Sequence, residues 1–378
     1  MTGLALTGAR ILTPAGWLDD HALVIEQGRI AALQPLSRLD DRLQQKKLDG
    51  GFLLPGFIDL QVNGGGGVLF NDHPDVDGVV AIAAAHRHFG TTALLPTLIS
   101  DDLDVVAKAI EAVRQAIARG VPGVVGIHLE GPFLNPDKRG IHDASKFARL
   151  DASAVDLLAS LPNGKTLVTL APEQVEAGLI SELVSRGVIV AAGHSMADYD
   201  TMKRAVAEGL SGVTHLFNAA TQMVGRAPGV VGAALDLKLS CGLIVDGHHV
   251  HPASLRVALA AGGLDRMMLV TDAMPTVGLA RKTFTLGGRT IVAEEGALRA
   301  KDGTLAGSDL DMALAVRNAI TMLGIDLAAA SQLASRTPAT FMGLNNEMGT
   351  IQVGRRADLV HLDEELRPVT SWIGGTPS

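Results

Sequence analysis

Four polar residues at the ends of short apolar runs have the types needed for hydrolytic chemistry. Glu130 ends the run 124–129, His194 and His215 follow two consecutive later runs, and Asp272 follows the last one. One carboxylate and two imidazoles can hold a divalent metal ion with a coordination position left open for water. A second carboxylate can serve as the general base. The pattern therefore predicts a metal-dependent hydrolytic centre.

Each of these residues also has a simpler explanation. A single histidine at a strand end is more often a hydrogen-bonded core residue than a ligand, and Asp272 could merely cap the next helix. Because His194 and His215 follow consecutive strands, the interpretation as metal ligands is favoured. The first run ends in Gln61 and Asn63, whose neutral amides are weak metal ligands. We expect these two beside the site, or at a vestigial second-metal position.

An alternation of apolar strands and helical stretches between Leu54 and Asn345 must position these residues. It predicts a (β/α)₈ TIM-type barrel, in which the carboxyl ends of all strands meet at one rim. The interrupted stretch Arg281–Arg299 is predicted to be an inserted β-hairpin. The predicted strands are Gly56–Val62, Thr92–Leu98, Val124–Leu129, Thr166–Leu170, Val188–Ala192, Gly212–Leu216, Cys241–Val245 and Met267–Thr271.

Both chain ends instead contain short β-type segments separated by turn signals, such as Ala22–Glu26 and Ala357–Leu362. Neither end has enough strands for a core of its own. We therefore expect a small discontinuous β-sandwich domain built from residues 1–54 and 346–378, with the catalytic barrel formed by residues 55–345.

Composition excludes several classes of protein. Hydrophobic residues make up 47% of the 378 residues, so a large core can form, and the net charge of −8 argues against nucleic-acid binding. Cys241 is the only cysteine, which fits a reducing compartment. The sequence shows neither a signal-peptide pattern nor an apolar span of membrane length. A cytoplasmic protein without a membrane partner is expected.

The ordered motifs resemble the N-acetylglucosamine-6-phosphate deacetylases of the amidohydrolase superfamily over nearly the whole chain. The resemblance implies that Glu130, His194 and His215 bind the catalytic metal and that Asp272 is the general base and acid. The motifs are His128–Asn135, Gly193–Ser195, Thr214–Ala219, Gly225–Gly229, Asp246–Val250 and Thr271–Ala273.

The resemblance also indicates how many metal ions to expect. Many superfamily members carry His-x-His at the end of the first strand, where this sequence has Gln61-Val62-Asn63. The lysine that bridges two metals after the fourth strand is also absent, and Thr169–Glu173 occupies that end. Both departures favour one divalent ion per subunit. Zinc is the first expectation, and iron, cobalt or manganese stay open, because this ligand set accepts them all.

Substrate contacts are implied in the same way. His142 matches a residue that contacts the sugar and the amide carbonyl. Arg226 and His249 are implied to reach into the neighbouring subunit's site, which predicts a homodimer. The residues implied to receive the phosphate and the sugar hydroxyls are Asn218, Ala219, Arg226 and His249.

The predicted function is the metal-dependent hydrolysis of the N-acetyl group of N-acetylglucosamine 6-phosphate, giving glucosamine 6-phosphate and acetate in amino-sugar catabolism or recycling. Two enzymatic alternatives stay open: a deacetylase for N-acetylgalactosamine 6-phosphate, and another amidohydrolase of the superfamily. A non-catalytic sensor of amino-sugar phosphates is disfavoured, since binding alone needs no metal and base together.

Overall fold

A computed structural model describes residues 3–378 and has an eight-stranded parallel sheet at its centre. The strands lie side by side in chain order and curl into a barrel, so the predicted (β/α)₈ TIM-type fold is confirmed. The barrel strands, called first to eighth below, are Phe57–Val62, Thr91–Ile99, Gly126–Glu130, Lys165–Leu170, Ile189–Ala192, Gly212–Val213, Ser240–Leu243 and Met267–Leu269.

Helices cover the outside of the barrel, which is why its strands read as continuous apolar runs. All nine residues of the second strand are buried, for example. Several helices begin at an aspartate that accepts a backbone N–H three residues on, including Asp75, Asp151 and Asp311. The helices are Val76–Arg87, Leu103–Ala118, Ala152–Leu158, Leu179–Ser185, Tyr199–Ala207, Gly229–Asp236, Pro252–Gly262, Met312–Asn318 (continued by a π-turn, Ala319–Leu323), Leu327–Ala334 and Arg336–Phe341.

The first and eighth strands close the barrel along a seam that depends partly on side chains. The Asp272 N–H donates to the Gln61 carbonyl at 2.9 Å, and Val62 pairs with Ala273 in an isolated bridge. Below this point the buried Asp59 carboxylate accepts the Thr271 N–H at 3.2 Å and the Thr271 hydroxyl at 2.6 Å. The seam therefore fixes Asp272 against the end of the first strand.

An inserted antiparallel sheet follows the eighth strand and covers part of the rim. The prediction of a hairpin over Arg281–Arg299 was too short, because a turn at Gly303 returns the chain for a further strand. Its buried side chains pack on Leu69, Ile99 and Met274 as a separate small core. The four strands are Thr283–Leu286, Arg289–Glu294, Ala297–Ala300 and Leu305–Ser308.

The two chain ends form two packed sheets, as the sequence predicts. Leu359–Leu362 pairs with Phe52–Pro55, and buried residues of both sheets share one core with Trp372. Residues 349–354 resemble the other β-type segments in sequence but form bends and a turn rather than a strand. One sheet comprises Leu4–Thr7, His21–Glu26, Arg29–Pro35 and Gln44–Lys47; the other comprises Arg10–Thr13, Gly16–Leu18, Phe52–Pro55, Leu359–Leu362, Pro368–Ile373 and Thr376–Pro377.

Short elements complete the chain. They are the two-residue strands Gly64–Gly65 and Val68–Leu69 and the 3₁₀ turns Leu36–Arg38, Pro136–Lys138, Ala144–Lys146 and Pro172–Gln174. Within residues 3–378, no helix combines the length and apolar character needed to cross a membrane.

Trp372 tests whether the chain ends share one core. Trp372→Ala should lower the free energy of unfolding by about 3–5 kcal/mol, because it removes a fully buried indole and leaves a cavity. Val369 lies on the same strand and is 57% exposed, so Val369→Ala should change the free energy by less than about 0.5 kcal/mol. Urea unfolding measures both variants. Equal losses would contradict the shared core.

Candidate metal centre

Three ligand atoms from three different barrel strands meet at the rim. Glu130 Oε1 lies 3.1 Å from His194 Nε2 and 2.9 Å from His215 Nε2, and the two Nε2 atoms are 3.2 Å apart. The three residues are at most 5% exposed. Glu130 ends the third strand, while His194 and His215 lie just beyond the fifth and sixth. The structure thus brings together the three residues predicted to bind metal.

The protonation states of these groups suit a cation between them. His194 Nδ1 lies 2.7 Å from the Lys138 carbonyl oxygen, to which it must donate, so in the neutral ring Nε2 carries the lone pair. Burial alone would raise the pKa of Glu130, but the two neighbouring imidazoles hold it well below its ordinary value. In the absence of an ion this lowering requires the imidazoles to donate to Glu130; with both rings neutral and Nε2 unprotonated, their lone pairs and the Glu130 oxygen would instead face one cation.

A metal ion bound between the three ligand atoms would offset the repulsion between their electron pairs. Ligand atoms around a tetrahedral ion, each at about 2.0–2.1 Å, lie about 3.3 Å from one another. The three separations observed here are close to that value. Glu130, His194 and His215 are also the group of possible ligands found among the described residues. The donor set therefore fits one divalent metal ion.

The backbone is unusual at three of the four predicted site residues. His194, His215 and Asp272 have φ values of 49°, 32° and 53°, in the left-handed region that non-glycine residues rarely adopt. Each such residue costs about 1–3 kcal/mol unless its surroundings hold it. The turn at the strand end directs each side chain towards the rim rather than along the barrel wall. Backbone strain of this kind therefore accompanies these three residues, although it also occurs elsewhere in the chain, for example at Asp20 and Lys238.

Two amides from the first strand hold Asp272. Asn63 Nδ2 donates to Asp272 Oδ1 at 2.6 Å, and Gln61 Nε2 donates to the same oxygen at 3.2 Å. Gln61 Nε2 also lies 3.0 Å from Glu130 Oε2, so this amide bridges the two carboxylates. Gln61 and Asn63 therefore act as hydrogen-bond donors at the position where other superfamily members would have ligands.

The second oxygen of Asp272 stays free for a proton, since both amides bind Oδ1. Burial raises the pKa of Asp272 to about 6, and the negative charge of Glu130 adds to this. A cation bound to Glu130 would oppose the second effect. A carboxylate that gains and loses a proton close to neutral pH is suited to general base and acid chemistry.

A cavity of about 300 Å³ opens above the ligand atoms. It is lined by most of the residues predicted to contact substrate, and backbone from the inserted sheet at Thr304–Gly307 closes one side. Arg226 does not line this cavity: it is exposed and borders a neighbouring one, and Lys138 lies between the two. The predicted site residues that line the cavity are Asn63, Glu130, His142, His194, His215, Asn218, Ala219, His249 and Asp272.

Two further histidines in the cavity are oriented by polar partners. His142 Nδ1 accepts the Ser100 N–H at 3.3 Å, which leaves the proton on Nε2. Burial, with the neighbouring His194, lowers the pKa of His142 to about 3, so the ring is neutral and a donor. His249 Nδ1 lies 2.6 Å from Asp246 Oδ2. No sequence pattern pointed to Ser100 as the partner of His142. Asp246 could have been recognised as a partner of His249 because it lies at a strand end three residues before it.

Comparison with known proteins agrees with this geometry. The amidohydrolase family profile matches residues 52–378, and the NagA composite domain profile matches residues 4–53. The chain belongs to the amidohydrolase family. It is therefore a hydrolase of that family, and the resemblance described from the motifs is confirmed.

Similar proteins share nearly the whole length of the chain. An N-acetylgalactosamine-6-phosphate deacetylase of Shewanella sp. (strain ANA-3) is 42% identical over 98% of this chain and 95% of that protein. The human N-acetylglucosamine-6-phosphate deacetylase is 37% identical over 98% and 94%. The crystal structure of N-acetylglucosamine-6-phosphate deacetylase from Pasteurella multocida has a TM-score of 0.96 at 33% identity, covering 100% of this chain and 99% of that one.

Asp59 at the barrel seam gives a pH-dependent prediction. Burial raises the pKa of Asp59 from 3.8 to about 7, so the folded state holds a proton that the unfolded state releases. The stability that this proton provides is present below pH 3.8 and is lost as the pH rises through about 7. Asp59→Asn keeps the shape without the charge. Its free energy of unfolding should therefore rise relative to wild type between about pH 4 and about pH 7 and differ by a constant amount above that.

Urea unfolding at a series of pH values measures this difference. Asp59 Oδ1 accepts two backbone N–H groups, and an asparagine oxygen can accept both while its amide faces the Thr271 hydroxyl. Asp49→Asn, at an exposed position, controls for the loss of one carboxylate. A difference between Asp59→Asn and wild type that stays constant over the range would contradict the assignment.

Proposed function

We propose that this chain hydrolyses the N-acetyl group of N-acetylglucosamine 6-phosphate to give glucosamine 6-phosphate and acetate. The observation that carries the proposal is the convergence of Glu130, His194 and His215 on one point, with the free oxygen of Asp272 in the same cavity. The names of the human and Pasteurella multocida proteins give the substrate class. Such a reaction belongs to amino-sugar catabolism or recycling.

Amide hydrolysis needs an activated water and a place for the oxyanion charge. When bound at Glu130, His194 and His215, a divalent ion supplies Lewis acidity and lowers the pKa of water from 15.7 to about 7. Asp272 accepts the proton of the attacking water on its free oxygen, while Gln61 and Asn63 hold the other oxygen in place. Protonated Asp272 then donates this proton to the departing sugar nitrogen.

His142 stabilises the charge that develops on the amide oxygen. Its neutral ring, fixed through Nδ1 by Ser100, presents an Nε2–H donor to the cavity. A donor of this kind contributes about 3 kcal/mol to the transition state. His249, held by Asp246, and the Asn218-Ala219 segment line the other side of the cavity, where the sugar hydroxyls and phosphate would lie.

The finer features belong to the same proposal. We infer zinc as the native ion, since two imidazoles and one carboxylate suit it, although the same set accepts iron, cobalt or manganese. We infer a cytoplasmic homodimer, in which Arg226 completes the phosphate site across the interface, whereas His249, predicted to do the same, lines the cavity of its own chain. The exposure of Arg226, outside the cavity of its own chain, supports a role in the neighbouring site.

A second substrate is favoured by one specific comparison. The Shewanella protein with 42% identity is an N-acetylgalactosamine-6-phosphate deacetylase, and the two substrates differ only in the configuration of one hydroxyl group. The metal ligands and Asp272 would perform the same chemistry on either sugar. N-Acetylgalactosamine 6-phosphate is therefore the second candidate substrate.

Acetate release tests the proposed reaction directly. The purified protein should release acetate from N-acetylglucosamine 6-phosphate, lose this activity in a chelator, and regain it when zinc is added back. The galacto epimer, measured in parallel, shows by its kcat/KM which sugar is preferred. No acetate from either sugar would sink the proposal, and activity that survives complete metal removal would overturn the role given to the ion.

Asp272→Asn tests the assignment of the base. The amide retains the shape of the side chain but cannot accept the proton, so kcat should fall by about 100- to 10,000-fold. Zinc content and thermal unfolding should stay close to those of wild type, because Asp272 is not among the three ligands. A variant with full zinc content and a near-normal kcat would remove Asp272 from this role.

A further inference from the structure

The carboxylate of Glu173 connects its own segment of the barrel rim to two other segments, one at Asn135 and one at Ser195–Met196. Glu173 lies in the 3₁₀ turn after the fourth strand, the end at which the sequence lacks a bridging lysine. Its Oε1 accepts the Asn135 side-chain amide at 2.9 Å and the Met196 N–H at 2.5 Å. Its Oε2 accepts the Ser195 hydroxyl at 2.7 Å. Glu173 does not line the substrate cavity, so these contacts need another explanation.

One branch of the network holds the backbone of His194. Ser195 and Met196 follow this ligand directly, and Glu173 binds both. Ser195 is fully buried, and its hydroxyl oxygen also accepts the Ala197 N–H at 3.0 Å. Because the left-handed conformation of His194 persists only when its surroundings hold it, the chain must be fixed just beyond it. Glu173 provides that fixation.

The other branch holds the imidazole ring of His194. The Asn135 N–H donates to the His194 carbonyl at 3.0 Å, and Asn135 Oδ1 caps the turn Pro136–Lys138 through the Asp137 N–H at 2.9 Å. At the end of this turn, the Lys138 carbonyl accepts the proton of His194 Nδ1 at 2.7 Å. Glu173 binds the remaining polar group of Asn135, its Nδ2. The turn that orients the ring is thus tied to the same carboxylate.

We propose that Glu173 is a positioning residue of the metal centre, which fixes both the backbone and the ring of His194 so that Nε2 points at the ion. This inference rests on the proposed function, since it needs the ion at Glu130, His194 and His215. A carboxylate is required because three donors converge on two oxygens, and hydrogen bonds to an ionised group are about twice as strong as neutral ones. Glutamine has one acceptor oxygen and would meet one donor with its own N–H groups.

Zinc affinity tests the proposal without relying on catalysis. The metal-loaded protein is equilibrated with a series of zinc–chelator buffers, and bound zinc is measured for wild type, Glu173→Gln and Glu173→Ala. Loss of such an outer contact typically weakens metal binding about 10- to 100-fold. We expect Glu173→Ala to show this loss and Glu173→Gln a smaller one. The control is Glu176→Gln, because the ion pair of Glu176 with Arg149 is exposed; this variant should bind zinc like wild type.

A second variant separates positioning from general stability. Ser195→Ala removes one of the three donors to Glu173, so it should also weaken zinc binding. Because the two residues share that hydrogen bond, the double variant should lose less than the sum of the two single losses. Glu173→Gln and Ser195→Ala are milder changes than Glu173→Ala. They therefore still test the proposal if Glu173→Ala fails to fold. Thermal unfolding of the metal-free proteins is measured alongside.

The outcomes distinguish the two proposals. Wild-type zinc affinity in both Glu173 variants would overturn the positioning role while leaving the proposed function intact. A lower melting temperature of the metal-free variants with unchanged zinc affinity would also overturn it, because Glu173 would then be merely structural. A wild-type protein that binds no zinc or other divalent ion would overturn both proposals.

Discussion

Two imidazole nitrogens and a carboxylate oxygen held within 3.2 Å of one another are the constraint on which the site depends. All three atoms offer electron pairs, so their approach is unfavourable unless a positive charge lies between them. The three atoms are nevertheless held together because each residue lies at the end of a different, rigidly packed strand. At His194 and His215 the backbone also adopts the left-handed conformation, which turns these side chains inward. A barrel rim suits such an arrangement because neighbouring strands end at one level.

At the end of the first strand, Gln61 and Asn63 contribute hydrogen-bond donors at the positions where a pair of histidine metal ligands could have been. Gln61 binds both Glu130 and Asp272, and Asn63 binds Asp272 at 2.6 Å. These N–H groups partly neutralise the two carboxylates, a task that a second cation would otherwise perform. They also leave one Asp272 oxygen without a partner, which is the property a proton acceptor needs. The amides therefore suit a site for one ion, and they leave Asp272 with the free oxygen that the proposed base would need.

The barrel and its four central residues could be predicted because apolar runs and strand-end polar residues are local signals. The exact strand ends could not. The sixth strand was expected over Gly212–Leu216 but ends at Val213, since His215 leaves the β region with φ of 32°. Ser100 and Glu173 were also missed, because their contacts join segments far apart in the chain. Asp246 was missed as a partner although it lies only three residues before His249. Local patterns thus indicate which residues converge at the rim better than they indicate the groups that orient those residues.

The pairing of Leu359–Leu362 with Phe52–Pro55 has a consequence for how the protein is made. During synthesis on the ribosome, Phe52–Pro55 can pair at once with Arg10–Thr13, but its other edge must wait until the barrel and then Leu359–Leu362 have emerged. An unpaired apolar edge is a template for aggregation. The barrel, whose strands pair in chain order, can assemble during this interval. Completion of the small domain therefore follows synthesis of the barrel, and a nascent chain that stalls before it would leave this edge unpaired.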